Sequence, residues 1–135
     1  MTHIRSMIDA YPKDLIDVDV TKLADCISAC FECAQTCTGC ADACLGEDMV
    51  ADLVKCIRTD LDCADICAAT GNLLSRQTGY NAEVTRAQLE ACRVACRVCA
   101  EECEKHAGMH DHCQVCAEAC LRCEQACAAL LTALK

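Results

Sequence analysis

Residues 26–44 read CISACFECAQTCTGCADAC, six cysteines at successive intervals of four, three, four, three and four residues. That alternation keeps one residue type on a single stripe of a 3.6-residue helix. Two further stretches repeat it, CRVACRVCAEEC over 92–103 and CQVCAEACLRCEQAC over 113–127, and a sparser series holds Cys56, Cys63 and Cys67. Of the 14 intervals inside the four series, 13 are three or four residues and one is seven. Sulfur therefore occupies the a and d seam where leucine normally stands. Between the cysteines lie polar residues such as Asp25, Ser28, Glu32, Gln35, Asp42, Arg93, Arg97, Glu101 and Glu104, which suit solvated faces, and alanines that let helices approach closely.

Capping residues divide the chain into four long helices. Asp19 caps the first and Gly46 follows its last cysteine; Asp48 opens the second, with Gly71 or Gly79 near its end; Asn81 and Gly108 bracket the third; Asp111 opens the fourth. The expected spans are 20–45, 49–74, 82–107 and 112–134. Short connections after the first and third helices force antiparallel neighbours, so the fold class is all-α, an up-down-up-down four-helix bundle with a cysteine-lined core. Residues 1–18, containing Pro12, form a short leader with room for one helical turn, and 19–135 form a single domain. His3 reads as a surface residue and Met7 as leader packing.

Extending each seam past its cysteines distinguishes the two ends. Leu23, Thr70, Leu74, Thr85, Leu89, Leu130 and Leu134 meet at one end and close it with an apolar plug. The other end gathers Cys44, Met49, Leu53, His106, Met109, His110, His112 and Cys113, a mouth lined by soft and borderline ligands. Asp60 sits on the seam between Cys56 and Cys63, where a carboxylate is costly unless it is paired or bound to metal.

The 135 residues hold 18 cysteines but only three aromatic side chains, and the net charge is −9. A chain this acidic offers no basic surface for nucleic acid or anionic lipid. No apolar run approaches the ~18 residues of a spanning helix. With no basic, apolar, small-residue leader of the secretory kind, the chain is expected to be cytoplasmic, where thiols stay reduced.

Neighbouring seam positions place Cβ atoms ~5–6 Å apart, too far for unstrained disulfides, which want ~3.5–4.5 Å. A two-coordinate ion with metal–sulfur bonds of ~2.3 Å spans ~4.6 Å, which suits five C-x-x-C and eight C-x-x-x-C pairs. Soft thiolates at low coordination number select Cu(I). With each thiolate bridging two ions, capacity is ~18 Cu(I) per chain, a stoichiometry of storage. The candidate ligands are Cys26, Cys30, Cys33, Cys37, Cys40, Cys44, Cys56, Cys63, Cys67, Cys92, Cys96, Cys99, Cys103, Cys113, Cys116, Cys120, Cys123 and Cys127, together with His106, Met109, His110 and Asp60; His112 lies in the same connection as a further candidate.

The three quoted stretches, with their pattern recurring on every helix, resemble the cytosolic branch of the bacterial copper storage proteins over about residues 20–134. The resemblance implies a homotetramer of four-helix bundles, many Cu(I) ions on the core thiolates, and entry at one end through the His and Met cluster from His106 to His112. Cu(I) donors and acceptors, small thiols or copper chaperones, are the expected partners. Competing readings are a zinc or iron–sulfur protein, a thiol oxidoreductase using Cys113 and Cys116 near a helix start, and a bundle whose cysteines are merely small core residues.

Overall fold

The computed structural model describes residues 2–13, 15 and 18–134. Parts of the expected leader, and Lys135 at the end of the expected domain, lie outside the described residues. Five α-helices follow in order: α1 (Thr2–Asp9), α2 (Val20–Leu45), α3 (Val54–Leu74), α4 (Ala82–Glu104) and α5 (Asp111–Ala133), with a 3₁₀ turn at Val50–Leu53 leading into α3.

Helices α2 to α5 form a ring in which each packs on two neighbours. Sulfur contacts fix their directions. Cys26 near the start of α2 meets Cys127 near the end of α5, and Cys40 near the end of α2 meets Cys113 at the start of α5. Likewise Cys56 meets Cys103, and Cys67 meets Cys92, so α3 and α4 are antiparallel. The four-helix bundle read from the seam is the observed core, and the leader adds one helix to it. Ile4 and Ile8 of α1 pack against the bundle, whereas Met7 is exposed, contrary to its expected packing role.

Two caps are as expected: the Asp19 side chain accepts from the Lys22 amide and Asn81 from the Val84 amide. Two are not. The second long helix opens through the 3₁₀ turn after Met49, without a side-chain cap from Asp48, and α5 has His110, not Asp111, at its N-cap. The third helix ends at Glu104, three residues before its expected end, in a turn where the His106 amide bonds the Cys103 carbonyl. Gly71 does not end α3; Leu74 does, and Gly79 takes positive φ (72°) in the following turn.

Gly71 has another purpose. A Cβ placed there would lie 2.8 Å from the Phe31 ring, so the glycine lets α2 and α3 close with the aromatic ring flat between them. Gly71→Val is expected to destabilise the apo protein by about 1–3 kcal/mol through overpacking. Chemical denaturation checks it, and a Phe31→Ala background should remove most of that penalty.

The plug at one end is present. Leu23, Thr70, Leu74, Thr85, Leu89 and Leu130 are buried, and Leu23, Leu74, Thr85, Leu130 and the half-buried Leu134 line a cavity of only about 40 Å³. Thr70 is satisfied there: its hydroxyl donates to the Ile66 carbonyl and accepts from the Gln88 amide. No helix among the described residues is long and apolar enough to cross a membrane.

Candidate metal centre

All 18 cysteines are buried and none is in a disulfide. The cause is the period already noted: a seam of side chains with few atoms draws four helices around a column of sulfur rather than a column of branched carbon. Many neighbouring sulfurs lie at or near contact, with Cys37 and Cys120 or Cys67 and Cys96 at 3.6 Å and Cys37 and Cys99 at 4.0 Å, and others in the same groups lie within 4.8 Å. A trigonal ion with ~2.3 Å bonds separates its sulfurs by about 4.0 Å, and a linear one by ~4.6 Å. The column therefore accepts three-coordinate ions almost as it stands and linear ones with a small outward shift.

Groups of four thiolates with ligand atoms mutually within 4.8 Å run along the column: Cys30, Cys92, Cys123 and Cys127; Cys33, Cys63, Cys67 and Cys96; Cys33, Cys37, Cys63 and Cys120; Cys37, Cys99, Cys116 and Cys120; Cys40, Cys44, Cys56 and Cys113. Each could hold a tetrahedral ion if it stood alone. They do not stand alone, because Cys33, Cys37, Cys63 and Cys120 each belong to two groups. Shared sulfurs make this a continuous bridging array, unlike the separate knuckles of structural zinc sites.

At the array's open end hydrogen bonds with Cys103 and Cys40 hold Cys56 down at about 3, while burial acts on its neighbours in the opposite direction. Desolvation pushes Cys44 up to about 11 and Cys113 up to about 12. Deeper in, the hydrogen bonds Cys37 makes with Cys116 and Cys120 raise it as well. Cys44, Cys113 and Cys37 lack the low pKa that helix-start redox cysteines need.

Asp60 is fully buried, not on a solvated rim. Its Oδ1 accepts from Cys99 (3.1 Å), Cys116 (3.3 Å) and Cys103 (3.4 Å), and its Oδ2 faces Cys56 at 3.9 Å. Burial, reinforced by the charges of Cys116 and Cys99, raises its pKa to about 10, so the carboxyl is neutral in the metal-free protein. It replaces sulfur at the missing position of the sparsest helix and joins three helices.

The histidines are brought to the opposite end from the plug, in different ways. His112 reaches the sulfurs: its Nδ1 lies 3.4 Å from Cys40 Sγ and 3.6 Å from Cys113 Sγ, and those sulfurs are 4.0 Å apart. That triangle has the size of a trigonal site with one nitrogen and two sulfurs. His110 stacks on His112 with ring centroids 5.5 Å apart, and its Nδ1 lies 2.7 Å from Glu47 Oε2. His106 pairs through Nε2 with Glu102 at 3.1 Å. Met109 is 67% exposed.

Two carboxylates at this end escaped the sequence reading. Glu102 is buried among Lys55, Lys105 and His106. Glu47 Oε2 lies 2.9 Å from His112 Nε2, and hydrogen bonding between them holds its carboxyl below the usual range. The only sequence signal for Glu47 was its place one residue past the Gly46 cap.

The copper storage protein profile matches residues 19–132. A Streptomyces lividans copper storage protein, solved with 10 copper equivalents, is 60% identical, with a TM-score of 0.96 over 97% of this chain and 99% of that one. Another structure of copper loading to the cytosolic protein of S. lividans, with five coppers, shares 63% identity at TM-score 0.84, covering 85% of this chain and 96% of that one. The apo form of copper storage protein 3 from Bacillus subtilis is more distant, 36% identical at TM-score 0.67 over 79% of this chain and 96% of that one. No curated protein sequence matches. With one family profile spanning the whole bundle and these structures superposing on it, the chain belongs to the copper storage protein family.

Proposed function

We propose that this protein stores Cu(I) in the cytoplasm, holding many ions per chain on the sulfur column of α2 to α5. The observation that carries the reading is the sharing of Cys33, Cys37, Cys63 and Cys120 between overlapping four-thiolate groups. A single-ion carrier or a structural zinc site has no use for ligands in common; a store gains capacity from them. The ligands are the 18 cysteines. Asp60 serves in the column, and His106, Met109, His110 and His112 serve at the mouth.

Uptake is ligand exchange. Cu(I) arrives on a small thiol or a copper chaperone, passes the histidines, and displaces the protons that the thiols carry. Binding therefore releases protons and strengthens as pH rises. The chain works as a store rather than a catalyst: its C-x-x-C pairs recur along α2, α4 and α5, a repetition that redox catalysis does not need. The storing unit is residues 19–135 and its assembly is a homotetramer, as the family resemblance implies.

The test is an anaerobic titration of the reduced protein with Cu(I), followed by gel filtration and metal analysis beside a zinc control. On the order of 18 copper ions retained per chain, with zinc displaced, is the expected result. Retention of one to four ions, or a preference for zinc or iron, would overturn the reading.

A further inference from the structure

Glu47 sits at the turn that ends α2, where its own amide bonds the Cys44 carbonyl at 3.2 Å. From there its Oε2 spans to the start of α5, where it lies 2.9 Å from His112 Nε2 and 2.7 Å from His110 Nδ1. An ionised carboxylate only accepts hydrogen bonds, so the nitrogen facing it must carry the proton. A neutral imidazole protonated at Nε2 has its lone pair on Nδ1. That Nδ1 is the atom 3.4 Å from Cys40 Sγ and 3.6 Å from Cys113 Sγ. Had the tautomer been reversed, an N–H would point at the two sulfurs and block that corner of the triangle.

We propose that Glu47 is a positioning residue for copper entry: it fixes the His112 ring and its tautomer so that Nδ1 faces Cys40 and Cys113 with its lone pair open. The proposal rests on the storage reading for its purpose. Carboxylates behind metal-binding histidines act in this way, and losing one typically costs about 10–100-fold in metal affinity or activity. Glu102 is a weaker counterpart, because its charge is divided among Lys55, Lys105 and His106. Glu47 also explains why α5 starts without a side-chain cap: the N-cap residue is His110, whose ring is turned to the carboxylate instead of to the helix.

Two readouts test the role. Long-range proton–nitrogen NMR of the ¹⁵N-histidine-labelled apo protein reports the His112 tautomer without any copper. It is expected to be Nε2–H in the parent, and mixed both in Glu47→Gln, whose amide can accept or donate, and in Glu47→Ala, where no carboxylate holds the ring. Cu(I) supplied from a colorimetric chelator then gives the affinity for the first equivalent. That affinity should fall about 10-fold or more in Glu47→Ala, whereas His112→Ala/Glu47→Ala should bind no more weakly than His112→Ala alone. An unchanged tautomer in both variants, or an equal loss with and without His112, would overturn the proposal. Failure of the parent to retain many copper ions would overturn the storage reading instead, and the tautomer result would stand apart from it.

Discussion

Metal-free protein kept reduced and under chelator is expected to lose stability as pH rises from 5 to 8, and Asp60→Asn is expected to flatten that slope. Asp60 has a pKa of about 10 in the fold, raised first by burial and then by the charges of Cys116 and Cys99. In the unfolded chain it titrates near ~3.9. The folded state therefore holds one more proton than the unfolded state between those values. Its contribution is fully present below pH ~4 and is lost by about 1.4 kcal/mol per pH unit as pH climbs toward the folded value. Over pH 5 to 7 that amounts to about 3 kcal/mol, a large part of a small domain's stability. Asparagine keeps an oxygen for the Cys99, Cys103 and Cys116 thiols to bond and removes the ionisation. Urea midpoints of parent and variant across this pH range provide the measurement; parallel curves would mean that the carboxyl ionises freely in the fold.

The same residue shows what a sequence tells and where it stops. A carboxylate on the seam between Cys56 and Cys63 is visible from spacing alone, and so is the cost of leaving it there. That three thiols from two other helices satisfy it depends on which faces meet, and no local pattern encodes a contact 39 to 56 residues away. The sulfur series was legible because its period is both the fold signal and the chemistry: the stripe that faces the core is the stripe of ligands. Helix ends were less so. Asp48 and Asp111 have the chemistry of caps, yet α3 is entered by a 3₁₀ turn and α5 by His110. At α5 the reason is plain, since Glu47 claims the neighbouring imidazoles and sets the entry of the chain. The His and Met cluster expected at the mouth lies at the end opposite the plug, and its members differ in their access to sulfur. His112 touches sulfur, while Met109, adjacent to His110 in the chain, stands exposed. Glu47 was invisible because its meaning lies in a partner 65 positions away.

Capacity offers the sharpest test of the shared-sulfur array. Cys33 and Cys120 are 3.8 Å apart, and each belongs to two four-thiolate groups; Cys26 and Cys127 are also 3.8 Å apart but lie toward the plugged end. Changing either pair to alanine removes two sulfurs and leaves a similar small void, with an apo destabilisation of about 1–2 kcal/mol per pair. Copper should separate them. If ions occupied independent sites, each double variant would lose the same amount. In a bridging array every ion needs at least two thiolates and a central thiolate serves two ions, so removing Cys33 and Cys120 takes sulfur from three of the groups named above at once, while Cys37 is left with Cys99 and Cys116 and Cys63 with Cys67 and Cys96. The central pair is then expected to cost about four ions per chain or more, and the end pair about two. Metal analysis after gel filtration reads the difference directly. Equal losses would mean that the groups act separately and that contact between sulfurs is only packing. A larger central loss would mean that the close spacing of the column, with grouped sulfurs within 4.8 Å of one another, is what turns a row of thiols into a store.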